Sequence, residues 1–259
     1  MVLYNLILSP ALGFIIACRD ITFILSRTLV ICLKGPYRIR EILQHMHSIG
    51  VGSLPIVAIA TAFAGTVVTS EIAYHMDAAL KTVEMIPGFS AQFVFRELGI
   101  AIPALLLVAK VGASTTAEVG TMKVTEQIDA LRLLQIDPIE YLVFPRFVAS
   151  IVMVAVLTVI SIAITLTCAI SVAVLKYNFS TLEYLNSLTH FISYLDLICA
   201  VIKGMVFGAV IPIISCFYGF NCTGGAQGVG TATTNSVVTS TIIVIVLDFI
   251  LTFAFSLIL

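Results

Sequence analysis

The chain predicts an all-α polytopic membrane protein, with an N-terminal interfacial helix, five transmembrane helices and a short cytoplasmic helix between spans two and three. Three observations lead there. Of 259 residues, 60% are hydrophobic and only 10% are charged. The mean hydropathy of +1.14 lies outside the soluble globular range. No Asp, Glu, Lys or Arg occurs between Glu41 and Glu71, Arg146 and Lys176, or Lys203 and Asp248. Each gap has room for a span of about 20 residues. Bare backbone is not tolerated against lipid and the alternation of a membrane β-barrel is missing, so the spans are helices.

Residues 1–48 form the first region. The segment 2–33 is apolar but interrupted by Arg19, Asp20 and Arg27, and nothing basic precedes it as a signal peptide requires. It reads as one or two helices at the interface, with a true span as the competing reading. Gly35-Pro36 breaks it, and Tyr37 to His47 reads as a short basic connector. Residues 49–259 form the membrane domain, with spans at about 49–74, 98–117, 147–175, 195–218 and 235–259. Lys34, Arg38, Arg40, Lys123, Arg132 and Arg146 fall on one side of these spans. Lys81, Lys176 and Arg96 fall on the other. The excess makes the first side cytoplasmic and puts the C-terminus opposite. The six cysteines (Cys18, Cys32, Cys168, Cys199, Cys216, Cys222) have no metal-ligand spacing and read as small apolar packing residues. The near-neutral charge gives no sign of nucleic-acid binding.

Between spans two and three lies a polar island holding Glu118, Lys123, Glu126, Gln127, Asp129 and Arg132, followed by Asp137 and Glu140. Val124, Ile128, Leu131 and Leu134 recur at three- and four-residue spacing, which predicts an amphipathic helix over 121–136, too polar to cross a membrane. Asp137-Pro138-Ile139-Glu140 reads as a helix start, with Asp137 as N-cap, Pro138 at N1 and Glu140 completing a capping box. The plain alternative is a solvated connector; the sharper reading is a helix that transmits motion from a soluble partner.

The stretch Ala117-Glu118-Val119-Gly120-Thr121-Met122-Lys123-Val124-Thr125-Glu126-Gln127-Ile128-Asp129-Ala130-Leu131 resembles the signature of the MlaE (YrbE) permease family. The likeness continues through Asp137-Pro138, Pro145-Arg146, Arg96-Glu97-Leu98-Gly99, Val108-Ala109-Lys110-Val111-Gly112, Gly219-Phe220-Asn221 and Asp248, in the family's order over residues 37–259. The family usually has Arg at Lys110, Ala-Ser at Cys222-Thr223 and an acidic residue at Gln227. The resemblance implies the permease subunit of an ABC transporter that moves phospholipids between the bacterial inner and outer membranes. It implies a homodimer in the inner membrane with a cytoplasmic ABC ATPase, a periplasmic ring of MCE-domain proteins and, in some systems, a STAS-domain subunit. ATP and Mg would be bound by the ATPase, so this chain carries no cofactor and no catalytic residue. The island residues Glu118, Lys123, Glu126, Gln127, Asp129 and Arg132 would then serve ATPase coupling.

Arg96, Glu97, Lys203 and Asp248 lie in or near apolar spans, where charge is costly unless paired or hydrated. A bridge from Asp248 to either Lys203 or Arg96 is predicted, with snorkelling from a span start as the alternative for Arg96 and Glu97. Span one offers Ala62, Ala64, Gly65 and Thr66, small enough for a dimer seam. Leu54, Phe63, Val67, Val68, Ile72 and Tyr74 are candidates to line an apolar lipid cavity, against the plain alternative of facing bulk lipid. The glycine-rich run Gly219–Thr234 lacks the Gly-Lys-Ser/Thr of a phosphate-binding loop and reads as a flexible turn. No Ser/His/Asp set and no metal-ligand cluster is evident. Two rivals use the same residues differently. An ion-driven secondary transporter would relay ions through Asp248 and Lys203, though no internal repeat supports it. A membrane scaffold would move nothing.

Overall fold

A computed structural model of the chain describes residues 2–35, 38–80, 86–177 and 179–257, with side chains from residue 16 onward except at Lys34 and 77–80. The helices are α1 (Val2–Lys34), α2 (Ile39–Leu80), α3 (Ile86–Val124), α4 (Gln127–Leu133), α5 (Ile139–Tyr177), α6 (Thr181–Phe191), α7 (Tyr194–Phe220) and α8 (Gly225–Ser256). No strand occurs among the described residues. Helices α2, α3, α5, α7 and α8 are each long and apolar enough to cross a membrane. At 1.5 Å per residue, a helix such as α5 reaches about 58 Å, well beyond a hydrocarbon core of about 30 Å. The protein is therefore a multi-pass membrane protein.

Small residues set how these helices approach. Along α2, Ser53, Val57, Thr61, Gly65, Thr69 and Ala73 recur every four residues and are all buried. They form one stripe against α5. There Gly65 lies on the Thr165 backbone so closely that a Cβ would collide with its carbonyl. The seam expected from Gly65 is thus made inside the chain, between α2 and α5. Further back along α5, Gly208 of α7 comes so close that a Cβ there would collide with the Ser150 carbonyl oxygen. Lipid supplies no hydrophobic drive for helices to associate, so such close backbone approach stands in for it. Val94, Ile100 and Leu107 of α3, Val154 and Leu157 of α5, Phe207 and Ile211 of α7 and Val244 of α8 fill the centre.

Several helix bounds differ from the sequence-based ones. Helix α2 begins at Ile39 rather than 49, because the basic connector is itself helical: Arg38 pairs with Glu41 at 3.2 Å and its guanidinium stacks 4.1 Å over the Tyr141 ring. Polarity does not end a helix; α1 closes at Lys34, ahead of Gly35, and the expected break at Pro36 lies outside the described residues. Helix α3 starts at Ile86, upstream of Leu98, so Arg96 and Glu97 sit inside it rather than at its first turn. Helix α8 starts at Gly225, ahead of Asn235. The reversal takes residues 221–224, with Gly224 (φ +89°) and Gly225 (φ +68°) left-handed, and the run is helical from Gly225 onward. Residues 2–34 form one helix. Of the charges used for orientation, Lys81 and the Lys34 side chain lie outside the described residues.

Helix α6 has no counterpart in the sequence reading. Ser180 and Glu183 form its capping box. Buried Tyr184 meets Ser90 of α3 at 2.8 Å, oxygen to oxygen, and burial pushes its phenol above the ordinary tyrosine range.

Candidate functional site

Two polar centres stand out, one within the spans and one at the island. In the first, Lys203 on α7 is buried, its side chain 3% exposed. Its ammonium donates to Asp248 Oδ1 on α8 at 2.9 Å, to Thr252 Oγ1 at 2.6 Å and to the Arg96 carbonyl at 2.8 Å. Glu97 Oε1 lies 3.5 Å away and accepts from the Thr252 hydroxyl at 2.9 Å. Three helices thus meet on one ammonium, whose three protons all find acceptors. Of the two bridges offered for Asp248, the one from Lys203 is formed. Arg96 turns instead to Asp196, donating from Nε to Oδ1 at 3.1 Å. Asp196 Oδ2 accepts from the Ser193 amide at 2.9 Å, so one buried carboxylate both caps α7 and holds Arg96.

Local backbone helps to bring these groups together. Arg96 and Glu97 sit in a π-helical turn, Val94–Leu98, and a second one, Val108–Gly112, carries Lys110. Such wide turns re-aim side chains within a helix and are frequent at functional sites. Beside the charges lies a cleft of about 40 Å³ lined by Phe95, Arg96, Asp196, Lys203 and Thr252. Phe95 also borders a groove of about 260 Å³ formed with Leu166, Leu188, Ile192, Tyr194 and Leu197, which is predominantly apolar. Charge and apolar surface are therefore adjacent.

Asp196 and Thr252 were not among the residues singled out from sequence. Asp196 follows Ser193 at capping-box spacing, and so reads as a helix start. Thr252 lies one turn beyond Asp248, on the same face. That spacing is the signal by which it was legible.

The second centre is the island, and the structure divides it. Helix α3 runs on to Val124, Glu126 takes a left-handed conformation (φ +61°), and α4 covers only Gln127–Leu133. Gln135 is left-handed as well (φ +61°). The single helix expected over 121–136 is thus two helical pieces and two sharp turns. Of its apolar face, Ile128 is 0% exposed and anchors α4, whereas Leu134 is 70% exposed and the neighbouring Leu133 87%. Lys123 bridges to Asp129 at 3.1 Å and Arg132 to Asp129 at 3.6 Å, making a triad across the break. Glu118 lies apart from it, within α3, bound to Arg146 at 2.7 Å. Asp137 Oδ1 accepts from the Ile139 amide at 3.0 Å, as an N-cap does, and Oδ2 pairs with Arg27 of α1 at 3.2 Å. Among the described residues, Glu140 does not close the box.

The six residues named for a lipid cavity lie along α2. Leu54, Phe63, Val67 and Tyr74 are exposed, with Phe63 and Tyr74 at 68%, and Val68 and Ile72 are half-buried. Phe63, Val67 and Tyr74 share an outward apolar face, and none of the six lines the cleft or the groove above.

Residues 42–254 match the family described as Permease MlaE. A protein of Rickettsia felis is 37% identical over 225 residues, which cover 85% of each chain. One from Synechocystis is 35% identical over 229 residues, covering 88% of this chain and 87% of its own, and one from Pyropia yezoensis is 36% identical over 216 residues, covering 82% and 81%. Each of the three carries the name "Probable ABC transporter permease protein". With the matched stretch taking in all five long helices, the island and the Lys203 centre, the chain belongs to the MlaE permease family.

Proposed function

We propose that the chain is the non-catalytic membrane subunit of an ABC transporter that moves phospholipids between the inner and outer membranes of a bacterium. Two copies would enclose the lipid pathway in the inner membrane, and a separate cytoplasmic ATPase would bind and hydrolyse ATP with its Mg. MCE-domain proteins would receive or deliver lipid on the periplasmic side, with a STAS-domain subunit in some assemblies. The names of the relatives favour the ABC class. The observation that carries the lipid reading is the apolar groove beside the Arg96–Lys203 charges: a phospholipid needs contact area for its chains and polar partners for its headgroup. The exposed face of Phe63, Val67 and Tyr74 would close over lipid when a second copy faces it.

Coupling is assigned to α4. It is short, held by one buried anchor (Ile128) and bounded by two left-handed turns, and the cap that follows it at the start of α5 is tied to α1 through Arg27–Asp137. A push on exposed Leu133 and Arg132 would pass to α3 and α5, between which α4 hangs. The test is co-reconstitution with the partner ATPase in proteoliposomes carrying a labelled phospholipid. Asp129→Lys reverses the centre of the triad, and both ATPase stimulation and lipid movement should fall about tenfold. Unchanged coupling in this variant would sink the docking role. Lipid or ion movement by the chain without ATPase, under a proton gradient, would favour the ion-driven rival.

A further inference from the structure

Between the first turns of α2 and the facing side of α3 lies a cavity of about 80 Å³ lined by His45, Ser48, Lys110, Ser114, Glu118 and Arg146. A water needs about 10–15 Å³ by this measure, so there is room for a group of several heavy atoms. Lys110, Ser114 and Glu118 recur every four residues and share one face of α3. The charges do not balance. Arg146, with its side chain 6% exposed, is committed to Glu118 at 2.7 Å and to the Leu142 carbonyl at 2.7 Å. Lys110 donates to the Gly52 carbonyl and, among the described residues, forms no ion pair. The cavity thus holds two cations and one carboxylate.

Depth makes this surplus informative. Lys110 lies about 10 Å along the helix from Ala117, where the apolar stretch gives way to Glu118. A cation at that depth is costly unless an anion joins it or its stem reaches the headgroup level. The cavity lies at the same end of the bundle as Arg38, Lys123 and Arg132. The Lys203 centre is elsewhere, formed by different residues.

We propose that this cavity binds a phosphate group, either the phosphodiester of a membrane phospholipid or free inorganic phosphate. Lys110 supplies the recruiting charge, while Ser48, Ser114 and His45 supply neutral donors. The proposal rests on the reading of α2, α3 and α5 as spans and is independent of transport; a chain that moves no lipid would still show the site.

The test is covalent footprinting of the purified full-length chain with an amine-acylating reagent, reading Lys110 against Lys176 by mass spectrometry. The arms are phosphate-free detergent, detergent with inorganic phosphate, and phosphatidylcholine nanodiscs with and without phosphatidylglycerol. Lys110 acylation should fall about tenfold, the worth of a charge-assisted contact. Protection by both phosphate and lipid assigns any accessible phosphate, and protection by lipid alone assigns the phosphodiester of the bilayer. Equal acylation in every arm overturns the site. So does protection that follows protein concentration without phosphate, which would place a second copy there. Native mass spectrometry of Lys110→Met should show about tenfold less co-purifying phospholipid, restored in Lys110→Arg, if lipid is the source. If the methionine variant does not fold, the footprint on the native chain decides alone.

Discussion

Lys203 holds three helices together through one ammonium, so its removal would strand Asp248 and Glu97 facing each other without a cation. Breaking such a buried pair costs about 3–5 kcal/mol, whereas removing both partners costs much less. Thermal unfolding in detergent should therefore show Lys203→Met strongly destabilised, with Asp248→Asn added to it recovering part of the loss. A double variant no more stable than the single would mean that the pair is not what the ammonium contributes. Asp248 was legible as one of two alternative bridges, to Lys203 or Arg96, because charges inside apolar spans are few; Thr252 and the Arg96 carbonyl as partners of Lys203 were not. Asp196 was not, because an acid three residues after Ser193 is sufficiently explained as a cap. Only the approach of α3 to the start of α7 gives it Arg96 as a second partner.

Helix α4 and helix α6 show two ways in which an element escapes a periodicity argument. Apolar spacing over 121–136 is helical throughout, yet Glu126 and Gln135 are left-handed, at a cost of about 1–2 kcal/mol each. Burying Ile128 against the bundle goes with a turn of the chain at Glu126, where α3 has ended. Glu126→Val should raise amide exchange across Gln127–Leu133 about tenfold, since a β-branched residue tolerates φ > 0 least, whereas Glu126→Gly should not. Equal exchange in both would remove the strain argument. Helix α6 is short, and its decisive contact, Tyr184 with Ser90, lies 94 positions away in sequence. Tyr184→Phe should cost about 1 kcal/mol. The phenol is raised in the folded chain, so this contribution is present below the ordinary tyrosine pKa of about 10 and is lost as pH rises beyond it. Alkaline melts should accordingly be less steep in the phenylalanine variant.

The whole bundle places α4, the start of α2 and Arg146 at one end and α6 at the other. The basic residues at the first end predict that it faces the cytoplasm. In a cysteine-free background, an impermeant maleimide should label Leu133→Cys only from the cytoplasmic side and Leu182→Cys only from the opposite side. Both positions are exposed, at 87% and 70%, so reagent access is not limiting. Labelling of both from one side would overturn the topology. The outward faces of α2 and α8, with Ile59 and Phe63 on one and Phe249 and Phe253 on the other, are apolar and uncovered in the single chain, as contact with lipid or a second copy requires.

Sequence by itself determined the number of spans, their helical nature and the residues worth watching, because a bilayer imposes length and excludes charge almost position by position. It also located Lys203, Asp248 and the Asp137 cap, whose partners are a turn away or restricted by rarity. Tertiary structure decided the rest. Helix α2 begins earlier because Arg38 finds Tyr141, and α3 runs well ahead of Arg96, which Asp196 holds. Gly65 was committed to Thr165 of the same chain, because a small residue states that something comes close but not what. The polar island was cut in two by the burial of a single isoleucine, a long-range contact that no local period encodes.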